Sequence, residues 1–163
     1  MYYVTVIGSS GKIPREVEEV AYKLGKLLAK EGFIVVNGGR DGVMEAVSRG
    51  AKEGGGITIG ILPGTSRFEA NKYIDYAIPT GIGHARNAIN VLAGDVVVVV
   101  HGGPGTLSEV GLALAYGKTV IAIRKSGGVA EIVADKWIGN HYVIGVDSPE
   151  EAVEKIKETL VRV

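Results

Sequence analysis

The residues best suited to hold an anion gather in three short glycine-rich segments: Gly8-Ser9-Ser10-Gly11, Gly38-Gly39-Arg40-Asp41-Gly42 and Gly102-Gly103-Pro104-Gly105-Thr106. Each follows a run rich in β-branched residues and precedes a stretch of helical periodicity, so each is expected to turn a strand into a helix. A helix N-terminus offers unpaired N–H groups and partial positive charge, and glycine lets a ligand approach the backbone closely. The chemistry this suits is phosphate binding. The plain alternative, that glycine only permits tight turns, is the better account of one such segment and the poorer account of three.

Two charged residues stand near these segments. Arg86 lies in Gly83-His84-Ala85-Arg86-Asn87, just before the run of five valines at 96–100, and Glu109 lies three residues after Thr106. Arginine grips a phosphate through a planar fork that lysine cannot reproduce. A carboxylate can stabilise positive charge developing on a sugar ring, or orient a hydroxyl or a water. Each residue also has a bland reading. Thr106-x-x-Glu109 fits a capping box, Arg86 a surface ion pair, Asn87 a polar position on a helix surface, and Asp41 a simple helix cap. Ser9 and Ser10 fit turn positions, with hydroxyls where a ligand would sit.

Common fingerprints are absent. The Walker pattern fails because Leu112 precedes Gly117-Lys118-Thr119 where glycine is required, and the dinucleotide pattern fails at Ser108. The nucleophile-elbow pattern fails at Lys12. His84, His101 and His141 lack ligand spacing and there is no cysteine, so no metal site is expected. Eighteen basic residues balance eighteen acidic ones, which leaves no long-range field for nucleic acid or an anionic membrane. No apolar run approaches a membrane span. Together with the lack of cysteine, this leads us to expect a cytoplasmic protein.

Elements that alternate along the whole chain must position these residues. Strands are expected at 2–7 and 33–36, near 57–62 and 74–78, at 96–100 and 119–123, and near 142–146. Helices are expected between Pro14 and Gly32, near 42–53, 83–93, 105–116 and 128–136, and at 149–161. This pattern makes a three-layer α/β/α fold with a doubly wound, mostly parallel sheet of Rossmann-like type, one domain over 1–163. Five consecutive valines suit a strand covered on both faces, here taken as the centre of the sheet. The 105–116 helix is apolar around more than one face and carries Gly111, Ala113 and Ala115, so self-association as a homodimer or homotetramer is expected.

Gly102-Gly103-Pro104-Gly105-Thr106-Leu107-Ser108-Glu109 resembles the G-G-x-G-T-x-x-E signature of the Lonely Guy family of nucleoside 5′-monophosphate phosphoribohydrolases, often labelled lysine decarboxylases. Ile7-Gly8-Ser9-Ser10, Gly42-Val43-Met44 and Gly60-Ile61-Leu62-Pro63 support the resemblance. Ala85-Arg86-Asn87 is closer to the molybdenum-cofactor carrier proteins, since the enzymes carry lysine at the position of Asn87 and proline at that of His101. The resemblance implies that Gly103, Gly105 and Thr106 hold a phosphate, with Arg86 and Glu109 facing a sugar. Gly8, Ser9, Ser10, Gly38, Gly39 and Gly102 of the three turns, with Asn87, are expected to complete the ligand site, and the resemblance implies that Glu109 and Arg86 are the catalytic pair if the chain is an enzyme. The ligand expected is a nucleoside monophosphate or a phosphorylated pterin, the molybdenum cofactor included, with no other cofactor required. The resemblance extends to a DNA-processing protein of the same fold, but zero net charge and the lack of interleaved aromatic and basic residues speak against single-stranded DNA. No lysine stands out as a pyridoxal-phosphate site.

Overall fold

The computed structural model describes residues 1–161. It contains β1 (Tyr3–Gly8), α1 (Arg15–Lys30), β2 (Ile34–Asn37), α2 (Val43–Glu53), β3 (Thr58–Leu62), β4 (Tyr76–Pro79), α3 (Arg86–Ala93) and β5 (Val96–Val100). These are followed by α4 (Pro104–Ala115), β6 (Thr119–Ile123), α5 (Gly128–Val133), β7 (Trp137–Ile138), β8 (His141–Tyr142), β9 (Ile144–Val146) and α6 (Pro149–Val161). Seven strands form one sheet in the order β4-β3-β2-β1-β5-β6-β9, with every pair parallel. No described helix is long and apolar enough to cross a membrane.

Alternate residues of the sheet face opposite helical layers, as the period of two demands. Val96, Val98 and Val100 join a core with Leu24 and Leu28 of α1, Val43 and Val47 of α2 and Ile156 of α6. Val97 and Val99 join Val91 of α3, Val110 and Leu114 of α4 and Val129 of α5 on the other face. All five valines are fully buried, which is why β5 reads as an unbroken apolar run.

The centre of the sheet corrects the expectation. β1 is the fourth of seven strands and β5 its neighbour; both are covered on two faces, and burial alone does not distinguish a central strand from an adjacent one. Chain order reverses between these two, since β2 runs away from β1 on one side while β5 lies on the other. This is the switch point at which doubly wound sheets leave a crevice at their carboxyl edge.

Two further differences are local. The expected helix to residue 136 stops at Val133, because Ala134 is extended and Asp135 takes a positive φ of 58°. Asp135 then accepts from the Tyr142 hydroxyl and the Gly145 N–H, each at 2.9 Å, and folds the segment into a β7–β8 hairpin that periodicity does not reveal. The expected 83–93 helix opens with a 3₁₀ turn over Gly83–Ala85 before α3 begins at Arg86.

Candidate functional site

The turns after β1, β2 and β5 all emerge on one edge of the parallel sheet. The first and third straddle the switch point, and their backbones are tied together. Ser9 Oγ accepts from the Gly102 N–H at 2.8 Å and lies 2.6 Å from His101 Nδ1. His101 holds an unfavoured left-handed φ of 56° and anchors its own N–H on Ser126 Oγ at 2.8 Å. The Ser9 hydroxyl is therefore spent on joining two turns. Asp41 does not cap α2, whose N-cap is Gly42. Its carboxylate instead accepts from the Gly11 N–H at 2.8 Å and joins the first turn to the second.

A cavity of about 270 Å³ opens between these turns. Among the residues expected from sequence, Gly8, Ser9, Ser10 and Gly38 line one side, and Gly103, Gly105, Thr106 and Glu109 line another. Arg86 and Asn87 enter from α3. Gly39 and Gly102 lie behind this surface. Gly39 donates to Asn37 Oδ1 at 2.7 Å and backs onto Leu62, while the Gly102 carbonyl accepts from Val129. Both shape the turns from behind.

At the start of α4, the first N–H with a backbone partner is that of Leu107, bonded to the Gly103 carbonyl at 3.0 Å. The amides of Gly105 and Thr106 thus point out of the helix mouth. Pro104 occupies the first turn, where its missing N–H costs nothing and its fixed φ suits the helix. The capping-box reading of Thr106 and Glu109 is overturned: the N-cap is Gly103, no side chain caps it, and both residues already lie inside α4. They are 3% and 8% exposed.

The surface readings of Arg86 and Asn87 are overturned as well. Arg86 is half-buried; its Nη1 donates to the Ile61 carbonyl at 3.2 Å. It packs on Gly38, where a Cβ would lie 1.8 Å from Nη1. Burial lowers the Arg86 guanidinium from its ordinary value, Glu109 opposes that, and the positive charge of Arg40 adds to it. Asn87 is buried and donates to Ser108 Oγ at 3.2 Å.

Glu109 is the most perturbed group of the site. Burial pushes its carboxyl up to about 7, against the lowering influence of a hydrogen bond from Asn90 and the charge of Arg86. Asn90 Nδ2 donates to Glu109 Oε2 at 2.8 Å. Oε1 has no hydrogen-bond partner among the described residues, yet is not sealed from the cavity. A carboxyl pushed toward neutrality by burial in a cleft, beside a half-buried arginine, is the kind of group that binding and catalysis use.

Sequence reasoning missed Asn90, together with Val6, Ile7, Met44, His84 and Pro104. Asn90 stands four residues after Arg86 and three after Asn87, one turn along the same face; that spacing was the available signal. Among the described residues no group of three or more His, Asp or Glu side chains could hold a metal ion.

Solved structures share this fold. A molybdenum cofactor binding protein from the phototrophic bacterium Rippkaea orientalis superposes with a TM-score of 0.87 at 42% identity, covering 98% of this chain and 97% of that one. The molybdenum cofactor carrier protein of Chlamydomonas reinhardtii gives 0.87 at 36% identity over 99% of both chains. A protein of Oryza sativa subsp. japonica named "Probable cytokinin riboside 5'-monophosphate phosphoribohydrolase" is 32% identical over 123 residues, 74% of this chain and 54% of that protein. Both kinds of relative to which the motifs pointed are thus found. Residues 1–153 match the SLOG cluster4 family, and the chain belongs to that family.

Proposed function

We propose that this protein binds a phosphorylated, nucleotide-like ligand in the cavity at the β1–β5 switch point, and that it serves as a carrier of a phosphorylated pterin such as the molybdenum cofactor. The observation that carries the reading is the convergence of the free α4 amides and Arg86 on a single cavity. In a confined site these donors match a phosphate in charge and in hydrogen bonding. Glu109 Oε1 supplies an acceptor for the N–H groups that edge a pterin or for the hydroxyls of a ribose. The high coverage of the molybdenum-cofactor-binding relatives supports the carrier reading over its rival.

The rival is a nucleoside 5′-monophosphate phosphoribohydrolase, and the Glu109 carboxyl favours it. Cleaving the bond from ribose to base builds positive charge at the sugar, which an ionised Glu109 would stabilise while orienting a water. Arg86 would hold the 5′-phosphate. Incubation of the purified protein with a panel of nucleoside monophosphates separates the two: the carrier releases no free base yet melts higher with a phosphorylated pterin. Base release that disappears in Glu109→Gln would select the enzyme instead. A melting temperature unmoved by any phosphorylated compound refutes both.

Self-association as a homodimer or homotetramer, within the cytoplasm, belongs to the same reading. Leu107, Gly111 and Ala115 of α4 are exposed beside Ile89 and Leu92 of α3. This apolar, uncharged face lies next to the cavity, and a second copy would cover it.

A further inference from the structure

Asn90 is 1% exposed, and its two ends are treated unequally. Nδ2 donates to Glu109 Oε2, whereas Oδ1 is buried without any partner among the described residues. Buried side-chain amides ordinarily satisfy both ends, because an unpaired acceptor forfeits its hydration. An asparagine retained here with one end unpaired, bonded to a carboxylate that is itself costly to bury, contributes little to the core. A leucine would fill similar space at lower cost.

We infer that Asn90 is a positioning residue for Glu109: its amide N–H captures Oε2, so that Oε1 is presented to the ligand. The inference rests on the reading of Glu109 as a group that faces the ligand. The geometry supports it independently of any titration. Asn90 and Arg86 lie one helical turn apart on α3, so a single helix delivers both the cation and the donor that govern the acid on α4. The ionisable side chains around the cavity are His84, Arg86 and Glu109, and Arg40 acts on Arg86 from the second turn. Of these, Arg86 favours the charged carboxylate through space; the uncharged Asn90 does so by direct contact.

The test is a ¹³C NMR titration of protein labelled at glutamate Cδ, with Glu109→Gln identifying the resonance. In the wild type the midpoint is expected at about 7. Asn90→Leu should raise it by roughly one to two pH units, the effect of losing a hydrogen bond to a charged group. The isosteric Asn90→Asp should move the upper step of the paired carboxyls above the wild-type midpoint as well. AMP affinity, measured by calorimetry, should then fall roughly two- to tenfold in Asn90→Leu at pH 8 and stay near that of the wild type at pH 5.5, where Glu109 is protonated in both. The comparison between proteins cancels the titration of AMP itself. Unmoved midpoints in both variants, or an equal loss of affinity at the two pH values, overturn the inference. If AMP fails to bind the wild type, the nucleoside-monophosphate reading falls, while the midpoint in the ligand-free protein still decides the role of Asn90.

Discussion

Glu109→Gln isolates the energetic consequence of burying a carboxyl at the ligand site. The folded carboxyl titrates at about 7 against an ordinary value of 4.5, a gap worth about 3 kcal/mol when each pH unit is about 1.4 kcal/mol. The folded state binds the proton more tightly than the unfolded state. The stabilisation is therefore fully present below 4.5, declines as pH rises between the two values, and is gone above 7. Glutamine keeps an acceptor for Asn90 Nδ2 and does not titrate. Relative to the variant, the wild type should lose about 3 kcal/mol between pH 4.5 and 8, or roughly 6–12 °C in melting temperature for a chain of this size. Urea unfolding and thermal melts of both proteins at half-unit intervals measure the difference, in which all other titrating groups cancel. Parallel curves across that window would refute the assignment of a buried, proton-linked Glu109.

Arg86→Lys should weaken AMP or inorganic phosphate by about tenfold or more, since one ammonium replaces a planar fork; calorimetry reads this, and unchanged affinity would remove Arg86 from the phosphate site. Gly38→Ala places a methyl group 1.8 Å from Arg86 Nη1, where a flexible side-chain tip must yield. Melting should change little while phosphate affinity drops, and the reverse outcome would make Gly38 purely structural. Ser9→Ala removes the link between the first and third turns and orphans the Gly102 N–H. A loss of about 1–3 kcal/mol in urea unfolding is expected, together with weaker ligand binding. Leu107→Glu puts a charge on the exposed α4 face and should shift any oligomer toward monomer on size exclusion, with the melting temperature of the monomer little altered.

The alternation of β-branched runs with 3.6-periodic segments determined the layers, the parallel sheet and the single edge at which the three glycine turns meet, because period and burial are properties of local sequence. Gly103, Gly105 and Thr106 were legible for the same reason: a turn followed at once by a helix leaves its amides free whatever surrounds it. Tertiary structure alone decided which polar residues meet. Whether Glu109 caps its own helix or enters the cavity depends on where α3 packs against α4, and that packing delivers Asn90, a residue without any motif of its own. Likewise Ser9 and His101 lie 92 positions apart and meet only because β1 and β5 pair in register across the switch point. Asp41 was free to turn away from its helix toward Gly11 only once the first two turns stood side by side. Contacts of this kind are set by the docking of distant elements, for which no local period exists.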